Sequence, residues 1–182
     1  ILIGFFSISH LWGQFESPVT LSAKAESSVR AGEVVNIIVT AEMDAEWKIY
    51  ALREQGEGPI ATRVVVTGEI IEASGLVWED EPVEKYDDGF LTRTRTHQGG
   101  AIFKAPILVK SDLSPGKYNL SVNVLFQVCN ASLCYPPKEE VLTITVTVEG
   151  GTARDDRTDM VLVTEVFDDF GNINLDAAID EG

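Results

Sequence analysis

Two cysteines, Cys129 and Cys134, are the residues of this chain whose type and spacing could do chemistry. Four residues separate them, within the stretch FQVCNASLCYPP at 126–137. Two thiols this close can form a disulfide, and a thiolate can also attack the disulfide of another protein. What the chain does therefore depends on whether the bond between them is permanent or reversible.

The residues alone leave three interpretations of the cysteine pair open. A structural disulfide would close a small ring, for which the chain-entropy account gives about 2 kcal/mol of stabilisation. A redox pair needs an accessible thiolate, and Cys129 is expected to point away from the core because it follows the core-facing Val128. Metal binding has little support, because no Cys and His spacing typical of a metal site surrounds the pair.

The elements that would position the cysteines are β-strands. Residues 118–128 and 141–149 alternate between apolar and polar side chains, so the cysteines are predicted to lie at the tip of a hairpin. No stretch has a helical period over three turns. Earlier strands are predicted at 19–25, 33–42, 47–52, 62–71, 90–96 and 101–109, with an irregular acidic segment at 75–89.

Seven or eight short strands separated by turns predict an all-β fold, an immunoglobulin-like β-sandwich. Antibody-type domains join their two sheets with distant cysteines, whereas both cysteines of this chain belong to one hairpin. The sequence therefore predicts a sandwich that lacks the inter-sheet disulfide and carries its cysteine pair on a hairpin.

The charge is strongly acidic, with 14 Lys and Arg against 29 Asp and Glu and a formal net charge of −15. Such a balance argues against nucleic acid or an anionic membrane surface as a partner, because phosphates would be repelled. Residues 150–182 hold two arginines and nine acidic residues, which predicts an acidic linker or tail. A weak apolar run at 160–167 could add an edge strand to the sandwich.

The apolar N-terminal run, residues 1–14, has the length of the hydrophobic part of a signal peptide. We interpret it as the remnant of one, with a first strand or a buried helix as the alternative. Export would place the chain where a disulfide can persist. The sandwich domain is then predicted at 15–149.

Three motifs, in order along residues 47–137, resemble the N-terminal periplasmic domain of the transmembrane thiol:disulfide interchange reductases, the DsbD family. FQVCNASLCYPP is similar to the cysteine hairpin of that family, and WKIYAL (47–52) with GEGPIATRV (56–64) resembles its aromatic strand and the turn that follows. KYDDGF (85–90) is similar to its cap loop. The resemblance implies an immunoglobulin-like domain whose cysteines exchange disulfides with partner proteins.

The resemblance also implies where the electrons come from and go. A thioredoxin-like domain of the same polypeptide would reduce the pair, and periplasmic thiol-disulfide proteins would receive the electrons, with the parent protein in the inner membrane. Carried over to this sequence, Cys134 would form the mixed disulfides and Cys129 would resolve them. Neither a metal nor another cofactor is expected. The residues implied to form the cap or to flank the pair are Asp87, Asp88, Phe90, Tyr50, Trp47 and Tyr135.

Taken without the resemblance, several of these residues have a second interpretation. Asp87 and Asp88 also fit a solvated acidic turn, and the aromatic residues at 47, 50 and 90 also fit core positions. A carboxylate beside a thiol would raise the thiol pKa and could accept its proton. His97, among arginines and threonines, is predicted to be exposed. The alternative function is a non-catalytic β-sandwich that binds a partner protein and has a structural hairpin disulfide.

Overall fold

The structure, a computed structural model, describes residues 17–52 and 58–160. Within these ranges the chain forms thirteen strands and one 3-10 helix, Asp155–Arg157. No helix in the same ranges is long and apolar enough to cross a membrane. The strands are β1 (Val19–Ala25), β2 (Val29–Arg30), β3 (Val34–Met43), β4 (Lys48–Tyr50), β5 (Arg63–Thr67), β6 (Ile71–Ser74), β7 (Trp78–Glu79), β8 (Val83–Asp87), β9 (Thr92–Gln98), β10 (Gly100–Val109), β11 (Gly116–Phe126), β12 (Val128–Cys129) and β13 (Lys138–Glu149).

Two sheets form the body of the molecule and share one hydrophobic core. The first has the order β1-β3-β10-β6, with β7 also paired to β10, and the second has the order β2-β13-β11-β5. Alternate side chains such as Ile37 and Val39 in β3 and Leu120 and Val122 in β11 belong to the same buried cluster. Burying one large apolar side chain such as Phe103 contributes roughly 2–3 kcal/mol. The predicted all-β sandwich is confirmed.

A third, smaller sheet has the order β12-β4-β9-β8 and carries both the Cys129 position and the predicted cap. β12 follows β11 after a single residue, Gln127, so the chain passes from the second sheet into the third almost without interruption. The side-chain oxygen of Gln127 accepts the Ile60 N–H at 2.9 Å, and its amide nitrogen donates to the Tyr135 carbonyl at 3.4 Å. These bonds fix the residue at which the chain changes sheets.

Two predictions about strands were wrong. Segment 75–89, predicted to be irregular, contains β7 and β8. β8 is an edge strand with mostly exposed side chains, and a strand without a buried face has no apolar alternation to reveal it. The predicted strand 62–71 is two strands, β5 in the second sheet and β6 in the first.

Gly68 explains why that predicted strand divides. The N–H of Ile71 donates to the Gly68 carbonyl at 3.3 Å, which closes a turn between β5 and β6. A Cβ atom at position 68 would clash with the side chain of Leu120 in β11. A side chain at position 68 would displace the buried Leu120 side chain, so glycine is favoured where the chain turns against β11 and crosses from one sheet to the other.

The segment after β13, residues 150–160, runs along the sandwich, and we call it the C-terminal strap. Its Arg154 guanidinium donates hydrogen bonds to both carboxylate oxygens of Glu33, at 2.7 and 2.6 Å, and the Arg154 N–H adds a third at 2.8 Å. The Glu33 carboxylate also accepts the N–H of Arg30 at 2.9 Å. At the far end of the strap, the Met160 side chain lies against Gly75.

Glu33 is fully buried, and its charge is nevertheless retained. The hydrogen bonds from Arg154, helped by the N–H of Arg30, lower the pKa of Glu33 to about 2, although burial raises it. The described part of the predicted acidic tail is thus attached to the sandwich by an ion pair. The predicted signal remnant at 1–14 and residues 161–182, with most of the apolar run, lie outside the described residues, and the predicted boundary at 149/150 stays a prediction.

Candidate functional site

Cys129 and Cys134 lie directly opposite each other and form a disulfide, with their Cα atoms 4.1 Å apart. The intervening turn is closed by the Asn130 N–H, which donates to the Leu133 carbonyl at 2.8 Å. The Asn130 side-chain oxygen accepts the N–H groups of Ser132 and Leu133, at 2.9 and 2.8 Å. An asparagine that bonds the backbone two and three residues ahead favours a tight turn, and this turn brings the two sulfurs together.

The two cysteines differ sharply in exposure. Cys134 is exposed, whereas Cys129 is only 1% exposed, so the expectation that Cys129 is accessible was wrong. Its alternation with Val128 places it outside the hydrophobic cluster, yet it is buried where β12 pairs with β4 in the third sheet. A protein approaching from solvent therefore meets the sulfur of Cys134 first.

β4 supplies the side chains that lie beside Cys129. Lys48 is the Cα partner of Cys129 in the antiparallel pair, so the two side chains share one face of the sheet. Tyr50, two residues further along, shares that face and is fully buried. The end of β4 is held by Thr62, whose hydroxyl donates to the Tyr50 carbonyl at 2.5 Å. Sequence reasoning missed Lys48, although the period-two pattern WKIY already gives Lys48 and Tyr50 the same face.

The tip of the β8–β9 hairpin, residues 87–91, folds onto β4, and we call it the cap. Asp87 accepts a hydrogen bond from the Lys48 ammonium at 2.7 Å and a longer one from the Tyr50 hydroxyl at 3.4 Å. The ring of Phe90 meets the ring of Tyr50 edge-on, with centroids 6.0 Å apart. Asp88, the next residue, is exposed. The structure thus brings Asp87, Phe90 and Tyr50 together, and their role as the cap of the cysteine pair stays a prediction.

The Asp87 carboxylate is held in its charged form. Burial raises the pKa of Asp87, but the hydrogen bond and charge of Lys48 and the N–H groups of Gly89 and Phe90 outweigh burial, and the pKa is lowered. Asp87 is therefore ionised at neutral pH and already bonded to a cation. A carboxylate in that state is a poor acceptor for a thiol proton, which is one of the two roles that the sequence suggested for it.

Trp47 and Tyr135 flank the hairpin from the core side. Their rings stack at a centroid distance of 5.2 Å and an angle of 13°, and both pack against the hydrophobic cluster. Because side chains alternate along a strand, Trp47 lies on the face of β4 opposite to Lys48 and Tyr50. This stack joins the residue that follows Cys134 to the residue that precedes β4.

His97 is buried, so the prediction that it is exposed was wrong. Its Nε2 lies 3.0 Å from a carboxylate oxygen of Glu79, and that oxygen also accepts the Leu52 N–H at 2.8 Å. The His97 ring contacts Phe103 edge-on at 5.8 Å. His97 links the third sheet to the first. It lies near the end of β9, whose side chains are mostly polar, so no apolar pattern in the sequence indicated that it is buried. Within 17–52 and 58–160, no three His, Cys, Asp or Glu side chains are grouped so that they could hold a metal ion.

Comparisons with known proteins identify the family. A comparison with curated proteins found no match. Among solved structures, the N-terminal periplasmic domain of ScsB from Proteus mirabilis is 20% identical to this chain, with a TM-score of 0.46. The match covers 69% of this chain and 44% of the ScsB chain. The reduced N-terminal domain of DsbD from Neisseria meningitidis is 17% identical, with a TM-score of 0.42. That match covers 66% of this chain and 86% of the DsbD domain.

The family described as "Thiol:disulfide interchange protein DsbD, N-terminal" matches residues 16–146. That match includes both cysteines, the cap and β4, and it covers well over half of the chain. The chain therefore belongs to the family of N-terminal domains of the thiol:disulfide interchange protein DsbD.

Proposed function

We propose that this chain is a periplasmic thiol:disulfide exchange module that passes two electrons at a time to partner proteins through a reversible Cys129–Cys134 disulfide. A thioredoxin-like domain of the same polypeptide supplies the electrons, and the parent protein is held in the inner membrane. The proposal is supported by the family, which is one of thiol:disulfide interchange proteins, and by the formed disulfide on the hairpin.

The observation that carries the proposal is the unequal exposure of the two sulfurs. A partner's sulfur can reach Cys134, which is exposed, whereas Cys129 is buried beside β4. Exchange needs one sulfur that an outside protein can reach and one that stays close to it. This supports Cys134 as the cysteine that bonds to partners and Cys129 as the cysteine that resolves the mixed disulfide.

The transfer to a partner takes two exchange steps. In the reduced domain the Cys134 thiolate attacks one sulfur of the partner's disulfide, and the partner's other sulfur leaves as a thiolate and takes up a proton. Cys129, having lost its own proton to solvent, then attacks the Cys134 sulfur. The Cys129–Cys134 bond forms, the bond to the partner breaks, and the partner's second sulfur leaves as a thiolate. The pair loses two electrons and the partner gains them.

Recharging follows the same route in reverse. A thiolate of the thioredoxin-like domain attacks the Cys134 sulfur, and Cys129 leaves as a thiolate. The second thiol of that domain resolves the mixed disulfide and frees Cys134. Both directions use the exposed sulfur, so a single docking position beside Cys134 serves the donor and the acceptor in turn.

The alternative function is a binding module with a permanent hairpin disulfide. A ring of this size contributes only about 2 kcal/mol in the chain-entropy account. The turn between the cysteines is already held by the Asn130 side chain, and the following residue is held by the Trp47–Tyr135 stack. A hairpin fixed by these contacts has little need of a covalent bond, which favours the exchange function.

The test is a trapping experiment with the Cys129→Ala variant, in which the resolving thiol is missing. The reduced variant is mixed with an oxidised thioredoxin-like protein, and covalent adducts are scored by mass spectrometry after an acid quench. We expect a one-to-one adduct whose disulfide maps to Cys134. The matched control is Cys134→Ala, which retains only the buried thiol and should give at least tenfold less adduct. Equal trapping by both variants, or none by either, would contradict the proposal.

A further inference from the structure

The buried position of Cys129 creates a requirement that the exchange steps do not meet by themselves. As the resolving residue of the proposed function, on which this inference rests, Cys129 must be a thiolate when it attacks. Burial disfavours the charged form of a thiol, because the thiolate loses its hydration. A cation on the same face of the sheet would favour ionisation of a buried resolving thiol at neutral pH.

Lys48 is placed to supply that cation. It is the Cα partner of Cys129, and side chains paired in this way have Cβ atoms about 5 Å apart. Four bonds beyond its Cβ, the Lys48 ammonium can reach the neighbouring sulfur or the cap. The Lys48 side chain is 27% exposed, so its charge is screened less than that of a fully solvated lysine.

The groups that direct contacts or the strand register place beside Lys48 are acidic or neutral. The cap contributes Asp87 and Asp88, β4 contributes the Tyr50 hydroxyl, and β9 contributes the neutral Gln98, which is the second Cα partner of Lys48. Within the described residues, Lys48 is the lysine or arginine that the strand register places beside Cys129. The two carboxylates act against ionisation of the thiol.

In the disulfide state the charge of Lys48 is balanced by Asp87. Their oxygen and nitrogen are 2.7 Å apart, and the ammonium also lies 5.6 Å from the centroid of the Tyr50 ring. A disulfide carries no charge, so the oxidised pair does not compete with the Asp87 carboxylate for the Lys48 ammonium. Reduction followed by bonding of a partner to Cys134 changes that, since a negative charge must then develop on Cys129.

We propose that Lys48 is the charge partner of the Cys129 thiolate, and that its ammonium moves from the Asp87 carboxylate to this sulfur when Cys129 ionises. The Cys129 proton goes to solvent, and no further reactant is needed. Breaking the Lys48–Asp87 bond also removes one of the contacts that hold the cap on β4, so activation of the resolving thiol loosens the cap.

The proposal predicts opposite effects for the two members of the ion pair. Lys48→Met removes the cation and keeps the length of the side chain, whereas Asp87→Asn removes the competing anion and keeps an oxygen for the Gly89 N–H. One neighbouring charge shifts a pKa by about one unit or more. In Lys48→Met at pH 7 the thiolate of Cys129 should be about tenfold less populated. With a Brønsted slope of about 0.4–0.5, this thiolate is also about threefold more nucleophilic, because its pKa is higher. Resolution should therefore be about threefold slower. Asp87→Asn should be faster by a similar factor.

The experiment measures both the charge and the rate. In a Cys134→Ser background, the ionisation of Cys129 is followed by thiolate absorbance in the ultraviolet as the pH is raised. In the background with both cysteines, the reduced protein is mixed with an excess of oxidised thioredoxin-like protein, and the decay of the mixed disulfide is followed by acid quench and mass spectrometry. Lys85→Met is the matched control, because Lys85 is an exposed lysine on β8 and its loss changes the net charge equally.

Support requires three results together: ionisation of Cys129 at higher pH in Lys48→Met, ionisation at lower pH in Asp87→Asn, and wild-type behaviour in Lys85→Met. A cap loosened by either substitution would change both rates in the same direction, and that result would overturn the proposal, as would equal ionisation in all variants. If Lys48→Met fails to fold, Lys48→Arg, which keeps the charge, and Asp87→Asn decide the question. Failure of Cys129→Ala to trap any partner would overturn the proposed function itself, whereas normal trapping with unchanged resolution in Lys48→Met would overturn this inference alone.

Discussion

Removal of the Arg154 guanidinium should destabilise the whole domain, although Arg154 lies beyond the last strand. Arg154→Met would leave the fully buried carboxylate of Glu33 with the N–H groups of Arg30 and residue 154 as its hydrogen-bond donors. The lowering of the Glu33 pKa from 4.5 to about 2 corresponds to roughly 3 kcal/mol at neutral pH, with the Arg154 guanidinium as its largest cause and the two N–H groups contributing to it. Removing one partner of a buried ion pair costs about 3–5 kcal/mol, which agrees with that magnitude.

The dependence on pH gives this prediction a second signature. Because the pKa of Glu33 is lowered in the folded state, its contribution is fully present above about pH 4.5 and is lost as the pH falls towards 2. The difference in the free energy of unfolding between wild type and Arg154→Met should therefore be largest near pH 7 and should shrink between pH 4.5 and pH 2. In a domain of this size, about 3 kcal/mol corresponds to a loss of roughly 10 °C in Tm.

The assay is urea unfolding of both proteins from pH 7 to pH 2, followed by tryptophan fluorescence. The double variant Glu33→Gln with Arg154→Met is the control, because it removes the unpaired charge and should recover more than half of the lost stability. A difference below about 1 kcal/mol at pH 7, or one that does not change with pH, would refute the conclusion that the Arg154–Glu33 ion pair attaches the C-terminal strap to the sandwich.

Three further predictions concern the elements that position the cysteines. Gly68→Ala should lower the free energy of unfolding by about 1–3 kcal/mol, because the new methyl group meets the Leu120 side chain, and a neutral result in urea unfolding would contradict the turn described between β5 and β6. Asn130→Ala should cost about 1 kcal/mol, because two backbone N–H groups lose their acceptor, and the same measurement would expose an error if stability were unchanged. Reduction of the Cys129–Cys134 disulfide should cost only about 2 kcal/mol and leave the far-ultraviolet circular dichroism unchanged, whereas unfolding on reduction would favour a structural bond.

Period-two patterns made the body of the sandwich predictable. β1 has the predicted bounds, and β3, β10, β11 and β13 lie within a few residues of theirs, because each has one face in the core. The hairpin and its cysteine pair were predictable for the same reason. The exposed edge strand β8 was not, because a strand with mostly solvated side chains leaves no apolar period in the sequence.

The features that the sequence did not predict depend on contacts between distant parts of the chain. Cys129 is buried and pairs with a strand about eighty residues earlier, and local alternation carries no information about that neighbour. The Lys48–Asp87 and Glu33–Arg154 ion pairs join residues 39 and 121 positions apart. Such pairings are decided by which strands meet, so the charged residues could be seen in the sequence while their partners could not.

The most direct test of the central claim is whether the folded domain cycles between dithiol and disulfide. The oxidised protein is incubated with a reduced thioredoxin-like protein, then with an oxidised one, and its free thiols are counted by alkylation and mass spectrometry while circular dichroism follows the fold. The exchange function predicts that Cys129 and Cys134 are both alkylated after the first step, that neither is after the second, and that the spectrum does not change. A pair that stays oxidised until urea unfolds the protein would contradict the account and leave a structural disulfide.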